Sequence, residues 1–280
     1  MTLARNPRRP DPIRGLARVV SLHDEGGVNR RLVLALPRWP GSEPGQFVML
    51  SPGARGAAPR SDPLLPRPMA VYRTSASNGT GEPELEILFK VHGRGTALLA
   101  DVEEGARVAV VGPLGTPFPD PPAGARAAIV AGGTGIASVY ELAVQLHARG
   151  VRTAVLLGAR SARDLMGEAD FAASGVSLAI ATEDGSRGVR GRVTDLLGDA
   201  LAGAQPAALY ACGPTPMMAA VARIAEERGV PCWASLENPM ACGFGACLGC
   251  AAPLRGGGFA LVCRDGPVLP AHEVAWESLR

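Results

Sequence analysis

Four of the chain's six cysteines crowd one short stretch near its C-terminal end. Met240-Ala-Cys-Gly-Phe-Gly-Ala-Cys-Leu-Gly-Cys250 is followed by twelve residues and then Cys263. Cys242-x4-Cys247-x2-Cys250 with a distant fourth thiol is the spacing by which plant-type ferredoxins wrap a [2Fe-2S] cluster. Glycines alternate with the thiols, and a backbone free to take positive φ can turn its N–H groups toward inorganic sulfide. Structural zinc favours two C-x2-C knuckles, and one is present. A disulfide framework is not expected, because the chain is long enough for a large core and no secretory leader is legible. Cys232, in an apolar run, reads as a core residue. A cluster loop is neither helix nor strand, and it moves single electrons. The remainder of the fold must therefore carry the loop and a second redox group.

The chain has 280 residues, 47% of them hydrophobic and 19% charged, which suits two domains with well-buried cores. A net charge of +2 argues against nucleic acid as the main partner. No apolar run is long enough for a membrane span. Arg5, Arg8, Arg9 and Arg14 fall in a Pro-rich stretch, and residues 1–14 read as a disordered tail.

From 15 to 119 the chain reads as β-rich. Runs at 15–21, 31–36, 46–51, 68–74, 84–92 and 107–111 are separated by Pro, Gly, Ser and Asn, with one short helix expected at 96–102. Six strands at this spacing predict a small antiparallel barrel. After a linker at 119–124 the pattern changes. Strands at 126–131, 153–157, 176–182, 207–211 and 231–236 alternate with helices at 136–149, 161–173, 193–201 and 214–229. That alternation over 125–236 predicts a doubly wound parallel α/β domain. Residues 237–280 look too irregular for its sheet and read as a cluster-bearing appendage.

Gly132-Gly133-Thr134-Gly135 joins the first of these strands to a helix, where small residues let a pyrophosphate approach the backbone. Cys212-Gly213-Pro214 ends the fourth strand at the same sheet edge; the Gly-Pro step alone is also a plain helix start. In the barrel, Arg67 on a strand can clamp a phosphate, and Gly95-Thr96 opens a helix able to present N–H groups to another. Arg160 and Arg163 follow the second α/β strand, where an acid is more usual. They suit a 2′-phosphate or plain solvation.

With these motifs in place, the chain resembles the electron-transfer subunits of NAD-linked dihydroorotate dehydrogenase, within the ferredoxin–NADP reductase superfamily. Pro44-Gly-Gln-Phe47, Arg67-Pro68, Gly93-x-Gly-Thr96 and Gly112-Pro-Leu-Gly115 resemble the flavin-domain landmarks. Thr182-Glu-Asp-Gly-Ser186, Gly191-x-Val-Thr-Asp195, Cys212-Gly-Pro214 and Met217-Met218 resemble the pyridine-nucleotide domain. Met240–Cys250 with Cys263-x-Asp-Gly-Pro267 resembles the cluster loop, the most specific of the three.

The resemblance implies FAD between the two domains. Arg67, Pro68, Met69 and Ala70 would line the flavin, with Leu88, Phe89 and Lys90 on the neighbouring strand, while Gly95 and Thr96 hold its pyrophosphate. Gly132, Gly133, Thr134, Gly135, Cys212, Gly213 and Pro214 would face NAD, and Cys242, Cys247, Cys250 and Cys263 would bind the cluster. Position 70 is usually Ser or Thr in the family, so Ala70 removes a hydroxyl from near flavin N5. It further implies a cytoplasmic complex with an FMN-containing dihydroorotate dehydrogenase catalytic subunit, two of each, in pyrimidine biosynthesis. No residue of this chain need be a general acid or base in that scheme. The rival readings are a related FAD/[2Fe-2S] subunit serving another flavoenzyme such as a sulfide dehydrogenase or hydrogenase, a self-contained oxygenase reductase, and a zinc-stabilised nucleotide-binding module without catalysis.

Overall fold

The computed structural model describes residues 11–52, 63–75, 81–122, 124–202 and 206–279. Strands β1 (Ile13–Asp24), β2 (Asn29–Ala35), β3 (Phe47–Ser51), β4 (Arg67–Ala70), β5 (Arg73–Ser75), β6 (Glu84–Lys90) and β7 (Arg107–Leu114) form one antiparallel sheet, with helix α1 (Gly93–Leu99) after β6. The sheet order is β4-β3-β7-β1-β2-β6-β5, so consecutive strands β4 and β5 lie at opposite edges. Val71 and Tyr72 span the gap: Val71 N–H donates to the Gln46 carbonyl (3.1 Å) and Tyr72 N–H to the Glu86 carbonyl (2.9 Å). The sheet thus curls into a barrel around Val19, Leu32, Leu34, Val48, Leu85, Ile87 and Val110.

The run at 68–74, expected as one strand, is therefore two strands, and the sheet has seven rather than six. The curl breaks it, because residues 71–72 must hand the chain from one edge to the other. The tail expected over 1–14 is corrected as well. Residues 1–10 lie outside the described residues, but Ile13 and Arg14 begin β1 and pair with Gly112 and Val111. Most of the loop after Ser51 and of the turn after Ser75 also lies outside them.

The second sheet contains β8 (Arg126–Gly132), β9 (Arg152–Ala159), β10 (Ser177–Thr182), β11 (Val189–Arg190), β12 (Ala208–Cys212) and β13 (Cys232–Ser235), all parallel. Strand parity divides each apolar run between two faces. Ala127, Ile129 and Ala131 join one core with helices α2 (Ile136–Ala148) and α3 (Glu168–Ala173). Ala128 and Val130 join the other with α4 (Leu197–Leu201) and α5 (Thr215–Arg228). Buried on both sides, such strands need no polar alternation. The long helix expected at 161–173 is shorter: Ala162–Asp164 make a 3-10 turn, and α3 starts only after Gly167, whose φ is +67°.

The C-terminal segment adds the hairpin β14 (Ala251–Pro253) and β15 (Phe259–Leu261), then β16 (Val268–Pro270). β16 pairs antiparallel with β13, so the segment contributes an edge strand to a sheet for which its sequence looked too irregular. It also meets the barrel: Thr116 N–H donates to the Gly266 carbonyl at 2.6 Å. No helix among the described residues is long and apolar enough to cross a membrane.

Candidate functional site: a nucleotide cleft, a flavin face and a cysteine loop

The order β11-β10-β9-β8-β12-β13 reverses direction between β8 and β12. Open α/β sheets bind ligands at such a switch point, outside the carboxyl ends of the strands. Here the two glycine motifs meet, since Cys212 pairs with Ala131. A Cβ on Gly135 would fall on the backbone carbonyl of Cys212, so only glycine lets α2 start this close to β12. A cleft of about 600 Å³ opens beside them. Gly132, Gly133, Thr134 and Pro214 line it, together with Lys90 from the barrel. Gly135 and Cys212 support it from below.

Cys212, expected to face the nicotinamide, turns its thiol away. The side chain is fully buried, its Sγ lies 3.4 Å from the Ser235 carbonyl, and burial pushes the thiol up to about 12. Parity explains this: Ala208, Tyr210 and Cys212 all point to the α2 face. Sequence reasoning missed Gly158, Arg192 and Glu237, which line the cleft, while Glu183 and Met217, from motifs matched to the pyridine-nucleotide domain, line it as expected. The missed residues lie at or just beyond a strand's carboxyl end, so the switch-point rule applied to every strand would have found them. Glu237, following β13, accepts from the Thr134 hydroxyl at 3.1 Å. Burial in the cleft lifts its carboxyl above the ordinary range, with the Thr134 bond opposing. Arg160 lines the cleft, whereas Arg163 lies against Gly27 of the barrel.

On the barrel, β4 and β6 alternate. Met69 and Phe89 pack in the barrel core, while Ala70 and Leu88 turn toward the nucleotide domain. Met69 and Phe89 can therefore offer a flavin only their backbone, and of the other two only half-buried Ala70 offers a side chain, since that of Leu88 is buried in the seam beside Gly167. Arg67 lies over α1: a Cβ on Gly95 would stand 2.6 Å from its guanidinium carbon. Glycine at 95 thus seats the guanidinium on the helix start, where cation and backbone N–H groups suit a phosphate together. Arg67 Nη1 also donates to the Leu65 carbonyl at 2.9 Å. The Thr96 hydroxyl accepts from His92 N–H (2.6 Å) and donates to the His92 carbonyl (2.8 Å), closing the turn before the helix.

In the cysteine loop the thiols fall into two pairs. Cys250 and Cys263 are buried, with sulfurs 3.2 Å apart. Cys242 is half-buried and bonds with exposed Cys247. Backbone donors surround them: Gly245 N–H points at Cys263 Sγ (3.1 Å) and Cys263 N–H at Cys250 Sγ (3.4 Å). Burial works against ionising Cys242, but N–H groups of Cys247, Phe244 and Ala246 outweigh it and bring the thiol down to about 6. Burial and the adjoining Cys250 thiol push Cys263 up to about 12. Two dithiol pairs fit a two-iron centre, with two cysteines on each iron. Gly243 presses the loop onto the barrel, since a Cβ there would stand 2.5 Å from Met49 and 3.0 Å from Leu114.

Two family models match. Residues 237–275 match the iron-sulfur cluster binding domain of dihydroorotate dehydrogenase B, and residues 129–223 match the oxidoreductase NAD-binding domain. The chain is 43% identical to the dihydroorotate dehydrogenase B (NAD(+)) electron transfer subunit of Geobacillus thermodenitrificans, over 83% of this chain and 87% of that one. The chain belongs to this family. The corresponding subunit of Desulforamulus reducens is 37% identical over 84% of this chain and 87% of its own length. Among solved structures, an NADH-dependent reduced ferredoxin-NADP oxidoreductase, described for flavin-based electron bifurcation, superposes with a TM-score of 0.81. It is 30% identical over 94% of this chain and 91% of its own. A ferredoxin NADP+ reductase from Neisseria gonorrhoeae shares the fold alone, with a TM-score of 0.60 at 16% identity over 77% of this chain and 92% of its own. The chain is thus an oxidoreductase-type electron-transfer subunit of the dihydroorotate dehydrogenase B family, with an iron-sulfur segment appended to a ferredoxin-reductase fold.

Proposed function

We propose that this chain relays electrons from the FMN of a dihydroorotate dehydrogenase catalytic subunit, through a [2Fe-2S] cluster and FAD, to NAD+. The supporting observation is the cysteine loop: four thiols in two pairs, fed by backbone N–H groups and seated on both the barrel and the nucleotide sheet. The flavin, when bound, supplies the exchange between one-electron and two-electron chemistry that a cluster and a nicotinamide cannot make directly.

The chain's own residues bind and orient. Ala70 presents its side chain to the ring, and the backbone at Pro68, Met69, Leu88, Phe89 and Lys90 borders it. Arg67, Gly95 and Thr96 hold the FAD pyrophosphate. Gly132, Gly133, Thr134 and Pro214 hold the nicotinamide nucleotide, with Gly135, Cys212 and Gly213 shaping the floor beneath it. Cys242, Cys247, Cys250 and Cys263 hold the cluster. Phe244 and Leu248, 63% and 62% exposed on that loop, are apolar surface for the catalytic subunit to cover. The complex contains two copies of each subunit. We place the complex in the cytoplasm, where the two buried cysteines outside the cluster, Cys212 and Cys232, stay reduced.

Coexpression with an FMN-dependent dihydroorotate dehydrogenase and anaerobic purification test this reading. The expected product is a red-brown complex containing iron and FAD that couples orotate formation to NAD+ reduction. Zinc in place of iron, or protein without flavin, defeats it. Iron and FAD without orotate formation assigns the chain to another flavoenzyme.

A further inference from the structure

A second polar cluster lies at the seam between barrel and nucleotide domain. Arg31 on β2 pairs with Glu25 and with Glu86 (Nη1–Oε2 3.1 Å), and Arg73 on β5 pairs with Glu86 (Nε–Oε1 2.7 Å). These two cations and two anions all belong to the barrel, which is therefore balanced by itself. Into this balanced set α3 projects a further carboxylate, Asp170. It accepts from the Tyr72 hydroxyl (2.7 Å), from Arg31, and from Arg73 (3.4 Å). Burial opposes its charge, but Tyr72 and Arg31 outweigh that and hold it below the ordinary aspartate range.

Asp170 is not a counter-ion the barrel lacks; it is a tie from the other domain. Beneath it the Tyr72 ring stacks on Tyr140 of α2 (centroids 4.5 Å apart), and Tyr140 meets Phe171 edge-on (5.0 Å). A Cβ on Gly167 would stand 2.7 Å from the Tyr72 hydroxyl, so α3 begins in direct contact with the barrel. The strand-to-helix connection leading to α3 carries Arg160 and Asp164, which form a wall of the nucleotide cleft, and Lys90 Nζ lies 3.5 Å from Asp164. A rotation of α3 on the barrel would therefore swing that wall against the β4–β6 face.

We propose that Asp170 is a positioning residue: by gripping Tyr72, Arg31 and Arg73 across the seam, it fixes the angle between the barrel and the nucleotide cleft and so sets the rate of hydride transfer rather than the affinity for either cofactor. The inference rests on the placement of flavin on the barrel and nicotinamide nucleotide in the cleft. Hydride transfer needs reacting atoms held about 3–3.5 Å apart, and a misplacement of about 1 Å costs on the order of a hundredfold. Each cofactor's contacts lie mainly within one domain, so affinity should survive a loosened seam.

The test is single-turnover reduction of the bound flavin by NADH in the purified complex, comparing wild type, Asp170→Asn and Asp170→Glu. A hydride leaves NADH, which becomes NAD+, and both electrons appear in the flavin. In Asp170→Asn the saturating rate should fall by about 10- to 100-fold. Half-saturating NADH, FAD content and iron content should be unchanged, and Asp170→Glu should recover part of the rate. Independently of turnover, amide hydrogen exchange over 84–90 and 168–173 should quicken in Asp170→Asn. An unchanged rate, a loss that follows lost FAD or raised half-saturation, or unchanged exchange overturns the proposal. Wild-type complex without FAD, or whose flavin NADH does not reduce, overturns the cofactor placement beneath it.

Discussion

The seam between the two domains and the loop that carries the cysteines are built on opposite plans. At the seam, Arg31 and Arg73 have carboxylate partners, aromatic rings stack, and the backbone N–H of Thr74 finds Glu141 at 2.7 Å. On the loop, Phe244 and Leu248 stand in solvent, Leu248 takes a positive φ of 60°, and Cys247 is exposed while Cys250 and Cys263 are buried. At the seam Arg31, Arg73 and Asp170 all find their partners within the chain. The loop is finished on the side facing the nucleotide sheet and open on the side facing out. Buried polar groups must find partners within the chain, whereas exposed apolar groups gain most from a partner outside it.

Substitutions can break or sharpen this contrast, with cofactor content, thermal unfolding of the isolated chain and affinity for the catalytic subunit as the readouts. The largest effect belongs to Cys263→Ser, which should abolish the [2Fe-2S] absorption and lower the melting temperature, because this thiol also packs in the main core. Cys247→Ser should lose the cluster with a smaller thermal cost, and equal melting losses would deny the division into inner and outer pairs. Gly167→Ala comes next. Its Cβ would press on Tyr72 at a positive φ, destabilising by about 1–3 kcal/mol. A neutral result would mean the seam is not tightly packed.

Glu141 provides a pH test of the same seam. Burial pushes its carboxyl up to about 7, with bonds from Thr74 opposing and Glu43 and Arg73 as the charged neighbours. The folded state therefore holds a proton that the unfolded chain has released. Between the ordinary glutamate range and about pH 7 this group's contribution to stability falls as pH rises, then levels off. Glu141→Gln should remove that slope and stabilise the chain by about 1–2 kcal/mol at pH 8, readable in urea titrations at several pH values. A slope identical to wild type would show that the carboxyl is solvated. The smallest effect on the isolated chain belongs to Phe244→Ser with Leu248→Ser, within about 0.5 kcal/mol. Affinity for the catalytic subunit should nevertheless fall about tenfold or more, measured by titration calorimetry. Unchanged affinity would move the docking face elsewhere.

Much of this plan was legible in the residues. Cysteine spacing disclosed the loop, and the alternation of apolar strands with helices disclosed the parallel sheet. What escaped had non-local causes. The run through Val71 and Tyr72 keeps strand-like composition, and only the curl of the barrel divides it. Val268-Leu-Pro270 is too short to announce a strand, and its partner lies more than thirty residues earlier. The contact of Gly95 with Arg67 joins two segments that nothing in the local sequence connects. The direction of the Cys212 thiol, by contrast, could have been counted from strand parity.

The edge strand β16 makes the C-terminal segment structural to its host. It covers the open side of β13, and Leu236 N–H, donating to the Pro267 carbonyl at 2.9 Å, holds both ends of the excursion together. Truncation before the cysteines would therefore bare a row of unmatched amides and carbonyls, a template for sticking to other chains. A shortened version built to study the flavoprotein without its metal would be prone to precipitate; replacing the thiols within the intact chain is the sounder route to a metal-free protein.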